Sequence, residues 1–426
     1  MSINNIILIF FCICTLSGQQ SFEDFKRQQE KEFNQFKQSV EVEYNEFKTR
    51  EQRELKRFKK NVEKQWEDFK GSTAKVYVAY DDDLKSRGSI DFESGEVMIE
   101  VVIDYEDINK GFLDDHLDPV MLQYGWQPRR VFSGSLFFFS SFLVSVFPQT
   151  ADHVYRELAQ NNAEPIFQEL AETRLFKKLV KMLSEKDDSG EFLLENQLED
   201  NISLKDPKNV KQFAMATIKK TTRGFREYVG RDGKQKKSFS LNFPLRSDHG
   251  SIRSNKYGKE ILKQSKRFNI DPSISMAVTE TESSFNPKAT SHIPAYGLMQ
   301  LVPSSGGRDA YKYVYGKDKF LGKRYLYKPS NNIELGCAYL GKIRYQYFKG
   351  IKDDEKAWMC TVAAYNTGAG NVSRALTNTT KLSPAIKKVN QMSSKKLYKT
   401  LLKDLEHEET RNYLKKVWER KEKYKS

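Results

Sequence analysis

The stretch DPSISMAVTETESSFNP, Asp271–Pro287, decides how the C-terminal part of the chain folds. Asp271 followed by Pro272 is typical of a helix start, because the carboxylate caps free backbone N–H groups and proline suits the first helical position. Pro287 cannot continue the helix, so the helix ends shortly before it. The segment therefore predicts one short amphipathic helix that carries two glutamates near its end.

The two glutamates fall on different faces of this helix. At about 100° per residue, Glu280 lies roughly 160° away from Glu282. Glu282 shares its face with apolar residues, namely Ile274, Val278 and Phe285. A carboxyl group held among apolar side chains can stay protonated near neutral pH and act as a general acid on a glycosidic oxygen. Glu282 is therefore the candidate catalytic acid and Glu280 is expected in solvent; the alternative for Glu282 is a structural ion pair.

Three further motifs follow ESSFNP, Glu282–Pro287. They are GLMQ (Gly297–Gln300), AYNTGAGNV (Ala364–Val372) and EETRNYLKKV (Glu408–Val417). Four such strings in this order within about 140 residues resemble the signature motifs of lytic murein transglycosylases with a goose-lysozyme-like fold. The resemblance implies a mainly helical, lysozyme-like catalytic domain over residues 247–426.

The resemblance also implies a reaction. Most glycosidases use two carboxylates, but the motifs place no second acidic residue beside Glu282, so a substrate-assisted route is natural. Glu282 would protonate the oxygen leaving N-acetylmuramic acid, the N-acetyl group of that sugar would support the cationic C1, and Glu282 would then take a proton from the 6-hydroxyl. The products would be 1,6-anhydromuramyl sugars, formed without water.

Further site residues are implied by matching positions in the family motifs. Those expected to bind substrate or support the acid are Ser291, Gly297, Met299, Gln300, Tyr365, Asn366 and Glu409. Ser291 would hydrogen-bond the acid, and Tyr365 would orient the N-acetyl group. Each position also has a structural alternative: Gln300 and Asn366 as helix caps, Tyr365 as core, Glu409 in an ion pair. Tyrosines between the second and third motifs, at 311, 313, 315, 325 and 327, could stack on sugars or pack internally.

Residues 71–246 are predicted to form an α+β domain. KVYVAY, SIDFESGEVMIEVVI and KKSFSLNFPL have the alternating, β-branched character of strands, and Ser94–Gly95 and Gly230–Gly233 supply turns. Helical periodicity lies between them, over Asp152–Leu198. The strand segments resemble the N-terminal domain of the membrane-bound lytic murein transglycosylase C family, with an insertion over about 107–168. Inside it, the apolar run Val131–Phe147 suggests a buried strand or core helix, the alternative being a membrane span.

The N-terminal part divides into two segments. Residues 1–18 have the apolar core and small residues of an export signal peptide. Residues 19–70 carry an eleven-residue repeat, with aromatic or leucine side chains at one position and phenylalanine three residues later. Eleven residues fit three helical turns, so a long helical stalk or spacer is expected. Self-association through this coiled-coil-like repeat, or attachment to an anionic membrane, are the alternatives.

Composition limits the partners. The net charge of +14 favours a polyanionic partner such as the cell wall, and no nucleic-acid-binding pattern is present. Cys337 and Cys360 are expected as separate buried side chains rather than a disulfide. The histidines lack the spacing of a metal site, so neither metal nor cofactor is predicted. The sequence as a whole predicts an exported, multi-domain α+β enzyme, periplasmic or associated with the outer membrane, that acts on peptidoglycan glycan strands. A goose-type hydrolase and a wall-binding scaffold without activity are the rivals.

Overall fold

The computed structural model of the chain describes residues 3–104, 107, 163–199, 202–221 and 224–425. The chain divides into two compact units, residues 1–58 and residues 59–426. The first unit consists of most of one long helix, and the second holds a sheet with its covering helices and a larger helical region. The apolar run Val131–Phe147 and most of the predicted insertion lie outside the described residues.

The repeat segment is helical, as the eleven-residue period predicts. Helix α1 spans Ile3–Gln65 without interruption. Several apolar residues of the repeat are exposed: Phe22, Phe25, Leu55 and Phe58. The repeat was expected to remain regular to residue 70, but the helix ends at Gln65, and the next residue, Trp66, is buried. No helix among the described residues is long and apolar enough to cross a bilayer.

The second unit contains a five-stranded antiparallel sheet in the order β1-β2-β3-β5-β4. Its strands are β1 Val76–Tyr80, β2 Ser86–Asp91, β3 Glu96–Asp104, β4 Gly224–Val229 and β5 Gln235–Pro244. The predicted strands and both predicted turns are confirmed; Gly95 takes a φ of 75° in the turn between β2 and β3. Strand β4 was not predicted, because GFREYV lies on the sheet edge and is mostly exposed, so it lacks apolar alternation.

Two helices cover one face of the sheet. They are α2 Ala163–Leu183 and α3 Pro207–Lys220. Strand residues such as Val97 and Ile99 share a core with α2 residues such as Leu175 and Leu179. The helical periodicity over Asp152–Leu198 is thus confirmed for its middle part, while residues after Leu183 form turns and an isolated bridge. This small domain supplies the loop before β1, which reaches the helical region.

The helical region starts directly after the sheet. Its helices are α4 His249–Arg267, α5 Pro272–Ser283, α6 Gly306–Tyr315, α7 Lys323–Leu326, α8 Pro329–Lys342, α9 Asp354–Thr367, α10 Ala369–Thr377, α11 Leu382–Gln391, α12 Ser394–Asp404 and α13 Glu408–Arg420. A π-helical turn, Ile343–Tyr347, extends α8, and a 3₁₀ turn, Lys421–Tyr424, extends α13. The mainly helical character expected after residue 247 is confirmed for the described residues.

One large core holds the helical region together, and α5 lies within it. The core includes Val278 of α5, Met299 of the loop after it, Cys337 of α8 and Cys360 of α9. Both cysteines are free and buried, as expected for small apolar packing residues. Burying one large apolar side chain stabilises the folded state by about 1.5–3 kcal/mol. Helix α5 is therefore held rigidly along its length.

Arg253 of α4 joins the sheet domain to the helical region. Its guanidinium donates to the carbonyl oxygen of Phe92 in the β2–β3 turn, to Gln197 Oε1 at 2.5 Å and to the Ser284 carbonyl oxygen at 3.1 Å. Burial lowers the pKa of Arg253 to about 10, so the side chain remains a cation. A single buried arginine thus ties the end of α5 to the sheet domain.

Candidate active site

Glu282 lies in the last turn of α5, and the local sequence fixes where that turn ends. Asp271 caps the start of α5 by accepting a 2.9 Å hydrogen bond from the Ser273 N–H. At the other end, Ser284 and Phe285 both adopt left-handed backbone, with φ of 50° and 59°. Two successive non-glycine residues in this region are strained. The chain therefore breaks sharply immediately after the candidate acid.

The next side chain along α5 anchors this break. Ser283 is fully buried, and its hydroxyl donates a 2.7 Å hydrogen bond to the carbonyl oxygen of Leu298. Leu298 belongs to the GLMQ motif, so the acid-bearing turn and the second motif are directly bonded. Glu282 is held beside this motif by its neighbour in sequence.

The environment of Glu282 favours the protonated carboxyl. Its pKa is raised from 4.5 to about 7, chiefly by burial; the charge of Glu409 adds to this rise, while Tyr413 and the charge of Lys75 oppose it. By exposed area the residue as a whole is only half-buried, so solvent or a substrate can reach it, although desolvation is still the largest cause of its raised pKa. A carboxyl with a pKa near 7 can both donate and accept a proton at neutral pH.

Tyr413 of α13 is a site residue that the sequence analysis missed. Its side chain is buried, and its hydroxyl makes no hydrogen bond of normal geometry to any described residue. The hydroxyl nevertheless faces Glu282 closely enough to lower the pKa of that carboxyl. Burial and Glu282 raise the pKa of Tyr413 well above 10, so the hydroxyl keeps its proton. The signal was available: Tyr413 lies four residues after Glu409, inside the fourth motif, on the buried stripe of its helix.

The GLMQ motif forms a tight turn opposite the end of α5. Gly297 has a φ of 77°, and a Cβ there would lie 2.4 Å from both Asn332 Nδ2 and the Leu326 carbonyl oxygen. Only glycine fits this combination of backbone angle and space. Gln300 closes the turn with a φ of 46°, and its Nε2 donates to the Gly297 carbonyl oxygen at 3.1 Å. The backbone of the turn is thus fixed by two unusual conformations.

Asn332 of α8 holds the turn from behind and was not predicted. Its amide donates 2.8 Å hydrogen bonds to the carbonyl oxygens of Tyr296 and Leu326, and its oxygen accepts from the Met299 N–H at 2.7 Å. The side chain is fully buried, so all three bonds are protected from water. No pattern in PSNNIELG distinguishes Asn332 from Asn331; only the tertiary packing does.

The third motif meets the second through Tyr365. Its hydroxyl donates a 2.8 Å hydrogen bond to the carbonyl oxygen of Met299, and its ring lies 5.4 Å from that of Tyr339. Burial and the charge of Glu282 raise the pKa of Tyr365 well above 10, which keeps the hydroxyl a donor. The next residue, Asn366, accepts a 2.7 Å hydrogen bond from the Thr410 hydroxyl of α13. Motifs two, three and four are therefore linked by two side-chain hydrogen bonds.

The remaining predicted residues are placed as follows. The Ser291 hydroxyl donates to the carbonyl oxygen of Ile293 and accepts from the Ala295 N–H at 3.3 Å, so it organises its own loop. Glu409 is exposed on the first turn of α13, and its charge reaches Glu282. The expectation that Glu280 is solvated is wrong: it is largely covered because the final turn of the chain folds over it and supplies Lys423 Nζ at 3.0 Å and the Tyr424 hydroxyl at 2.8 Å.

Four of the five candidate sugar-stacking tyrosines between the second and third motifs fall into two groups, and the fifth, Tyr313, packs against Phe268 with ring centres 6.3 Å apart. Tyr311 packs against Tyr315 and Tyr325, with ring centres 4.6 Å and 6.1 Å apart. Tyr327 instead lies beside the loop that follows α5. Its hydroxyl shares a 2.7 Å hydrogen bond with the Thr290 hydroxyl, and its ring packs edge-on against that of Tyr296. At least half of this tyrosine set is therefore engaged in internal packing.

Two family models match the chain. Residues 259–387 match the model described as the transglycosylase SLT domain. Residues 32–111 match the model described as the N-terminal domain of membrane-bound lytic murein transglycosylase C. The first match contains α5, the GLMQ turn and Tyr365, and the second contains part of the repeat helix and the first three strands.

Curated relatives also match part of the chain. The chain is 38% identical over 185 residues to membrane-bound lytic murein transglycosylase C of Haemophilus influenzae (strain PittEE), which covers 43% of this chain and 51% of the relative. The protein of the same name from Histophilus somni (strain 2336) is 38% identical over 174 residues, covering 41% of this chain and 47% of the relative. The chain thus matches about half the length of these curated relatives.

Solved structures of lytic transglycosylases also align with the chain. The Slt enzyme of Pseudomonas aeruginosa aligns at 26% identity and a TM-score of 0.28, covering 39% of this chain and 23% of that one. The 70 kDa soluble lytic transglycosylase of Escherichia coli aligns at 17% identity and a TM-score of 0.30, covering 75% of this chain and 42% of that one. Residues 259–387 thus match the transglycosylase SLT domain, and residues 32–111 match the N-terminal domain of membrane-bound lytic murein transglycosylase C.

Proposed function

We propose that the chain is a peptidoglycan lytic transglycosylase, a lyase that cleaves the β-1,4 bond between N-acetylmuramic acid and N-acetylglucosamine without water. The observation that carries the proposal is Glu282, a single carboxyl whose pKa is raised to about 7 by burial at the junction of the family motifs. Such a group can serve as acid and then as base in one turnover. The names of the relatives, which are murein transglycosylases, indicate the substrate class.

The proposed reaction has two steps. In the first, protonated Glu282 gives its proton to the glycosidic oxygen, the bond from that oxygen to C1 of the muramyl sugar breaks, and the N-acetyl carbonyl oxygen of the same sugar supports C1. In the second step the muramyl 6-hydroxyl oxygen attacks C1 and its proton passes to Glu282. The bond between C1 and the 6-oxygen closes a 1,6-anhydro ring, and Glu282 regains its starting state.

Other residues have supporting roles in this proposal. Tyr365, which donates a 2.8 Å hydrogen bond to the Met299 carbonyl oxygen, would contact the N-acetyl group of the substrate and orient it. Gln300 and Gly297 would let the sugar approach backbone atoms of the second motif. Exposed Glu409 would position substrate at the entrance. The further role of Ser291 as a partner of the acid remains a prediction, and so does that of Asn366 in holding the third motif.

A goose-type hydrolase is the first alternative within enzymes. It would need a second carboxylate to hold a water molecule across the sugar from the acid, with the two carboxyl groups separated by roughly 6.5–9.5 Å. Among the described residues, Glu409 is the acidic group whose charge acts on Glu282, and it is exposed rather than aimed by packing. The second alternative is a wall-binding protein without activity.

Mass spectrometry of digested murein sacculi tests the proposal. Purified full chain should release muropeptides that are one water lighter than their reducing counterparts. Glu282→Gln should release none, because an amide cannot deliver the proton. Glu280→Gln is the matched control: it makes the same chemical change two residues earlier, where the side chain pairs with Lys423 and Tyr424 instead, and it should retain activity.

Each other outcome points elsewhere. Products with reducing ends would identify a hydrolase. Binding to sacculi without any release would identify a wall-binding protein. Release that persists in Glu282→Gln would remove Glu282 from the role of acid.

The location follows from the substrate. An enzyme that acts on peptidoglycan strands must be exported, so we place the chain in the periplasm, in association with a membrane as the names of its relatives indicate. Self-association through the repeat helix α1 stays a prediction, and sedimentation of the full chain beside a variant with Phe22 and Phe25 changed to serine would test it. A monomer in both cases would contradict self-association.

A further inference from the structure

Lys75, in the loop before β1, reaches from the sheet domain to the end of the acid-bearing helix. Its Nζ donates to the carbonyl oxygen of Glu280 at 2.9 Å and to the Ser284 hydroxyl oxygen at 3.0 Å. These two residues flank Glu282 by two positions on either side. The ammonium group therefore spans the helix turn that contains the acid.

The neighbours of Lys75 in sequence make parallel contacts. The Thr73 carbonyl oxygen accepts from the Thr290 N–H at 3.3 Å, and the Ala74 carbonyl oxygen accepts from Asn286 Nδ2 at 3.3 Å. Three consecutive residues of the sheet domain thus bond to the segment that follows Glu282. This loop therefore lies along the first motif and holds it by hydrogen bonds.

Lys75 is also placed to act on charge at the site. A cation at a helix C-terminus is favoured by the exposed carbonyl groups there. Lys75 Nζ lies 3.7 Å from Glu93, whose carboxylate also contacts Arg420 at 3.3 Å. Burial lowers the pKa of Lys75 to about 8, with Glu93 and Glu282 opposing this and Arg420 and Lys416 adding to it. Lys75 is therefore charged at neutral pH and loses its charge at about one pH unit above neutrality.

We propose that Lys75 is a positioning residue for Glu282, through which the sheet domain both fixes the turn that holds the acid and sets the pH at which the acid ionises. The inference rests on the proposed function, since it assigns a role toward the acid of that reaction. It also gives the sheet domain a part in catalysis, because the helical region alone would lack this cation. The groups that act on Glu282 are then Lys75 from the sheet domain, Tyr365 from α9, and Tyr413 and Glu409 from α13.

The proposal predicts a direction. A positive charge beside a carboxyl favours its ionised form, so Lys75 opposes the effect of burial and keeps Glu282 able to release and regain its proton near pH 7. Removing the charge should raise the pKa of Glu282 by at least about half a unit. Since the reaction starts from protonated Glu282, the alkaline limb of the pH–rate profile should move upward by the same amount, while the maximal rate falls because the turn is less firmly held.

The test is a ¹³C NMR titration of the Glu282 carboxyl in the full chain labelled at glutamate Cδ. The signal is assigned by its loss in Glu282→Gln. Lys75→Met keeps the length of the side chain and removes its charge, and it should titrate at higher pH than the unchanged protein. Lys75→Arg retains a cation and should titrate close to the unchanged protein. Lys416→Met removes one exposed lysine charge on α13 and is the matched control, expected to leave the titration in place.

This readout does not depend on catalysis, so it separates the two proposals. If sacculi yield no anhydro products, the proposed function fails whatever the titration shows. Identical titrations of Glu282 in the unchanged protein and in Lys75→Met would overturn the role of Lys75, even with a fully active enzyme. Should Lys75→Met prove unfolded by circular dichroism, Lys75→Gln provides the same comparison with an uncharged side chain that keeps a hydrogen-bond donor. A lower rate with an unmoved alkaline limb in either neutral variant would reduce Lys75 to a structural contact and overturn the proposal.

Discussion

The hydroxyl of Tyr365 donates a 2.8 Å hydrogen bond to the carbonyl oxygen of Met299, which joins the third sequence motif to the second across the core. Tyr365 also lies close enough to Glu282 for the charge of that carboxylate to act on the Tyr365 hydroxyl. The bond fixes two surfaces at once: the ring that would face the sugar and the backbone turn that would line it. Its removal should therefore affect both activity and stability.

Tyr365→Phe tests this relationship. The variant leaves the Met299 carbonyl oxygen without its partner, which should lower the free energy of unfolding by about 1–3 kcal/mol. Loss of a positioned group should lower kcat/KM on sacculi by roughly 10–100-fold. Urea unfolding and initial rates measure the two effects. Tyr398→Phe, which removes the same atom from a half-buried tyrosine on α12, should leave the rate unchanged; equal losses in both variants would contradict a specific role.

Gly297→Ala tests the close approach in the GLMQ turn. The new Cβ would lie 2.4 Å from Asn332 Nδ2 and the Leu326 carbonyl oxygen, in addition to the strain of a φ of 77°. Gly316→Ala is the matched control, because Gly316 has a φ of 67° but open space around its Cβ position. We expect Gly316→Ala to cost about 1 kcal/mol from the backbone angle alone. Gly297→Ala should cost at least about twice that, measured by thermal unfolding, and equal costs would show that the contact is relieved easily.

Asn332→Ala removes the support behind the same turn. It leaves the Met299 N–H and the carbonyl oxygens of Tyr296 and Leu326 without the partners they have now. Buried groups of this kind cost about 1–3 kcal/mol each when unsatisfied, partly offset if water enters. We expect a loss of roughly 3 kcal/mol by denaturant unfolding. Asn331→Ala, at the half-buried neighbour that donates once to the Tyr325 carbonyl oxygen, should cost less than about 1.5 kcal/mol; a reversed order would contradict the assignment.

Periodicity and caps sufficed for most of the fold around the site. Asp271 and Pro272 predicted the start of α5, and the wheel placed Glu282 on the face of Val278, which is fully buried. These features are local, so the sequence records them directly. The eleven-residue repeat likewise predicted a helix, although its end at Gln65 depends on packing of Trp66 against the sheet.

Features that depend on distant contacts could not be predicted in the same way. Glu280 was expected in solvent because a helical wheel considers only the residues of one helix. Its partners Lys423 and Tyr424 lie far away in the sequence. Lys75 bonds to Glu280 across more than 200 residues of sequence, and no short pattern indicates such a pair. Strand β4 was missed because edge strands with exposed side chains lack the alternation that identifies a strand.

The raised pKa of Glu282 predicts how stability depends on pH. Its pKa is about 7 in the folded chain and 4.5 without the effect of burial, so the folded state holds this proton more tightly than the unfolded state. The stability associated with the protonated carboxyl is fully present below pH 4.5 and is lost as the pH rises through 7.

Glu282→Gln stays neutral throughout and avoids this loss. We expect the variant to exceed the unchanged protein in free energy of unfolding by roughly 1–3 kcal/mol at pH 8, the lower part of that range because the residue is only half-buried. Chemical unfolding at pH 4, 6 and 8 measures the difference, which should be near zero at the lowest pH because both side chains are then neutral. Parallel curves for the two proteins over this range would mean that the Glu282 carboxyl ionises as it does in water, and the acid–base cycle would then need another source for its proton.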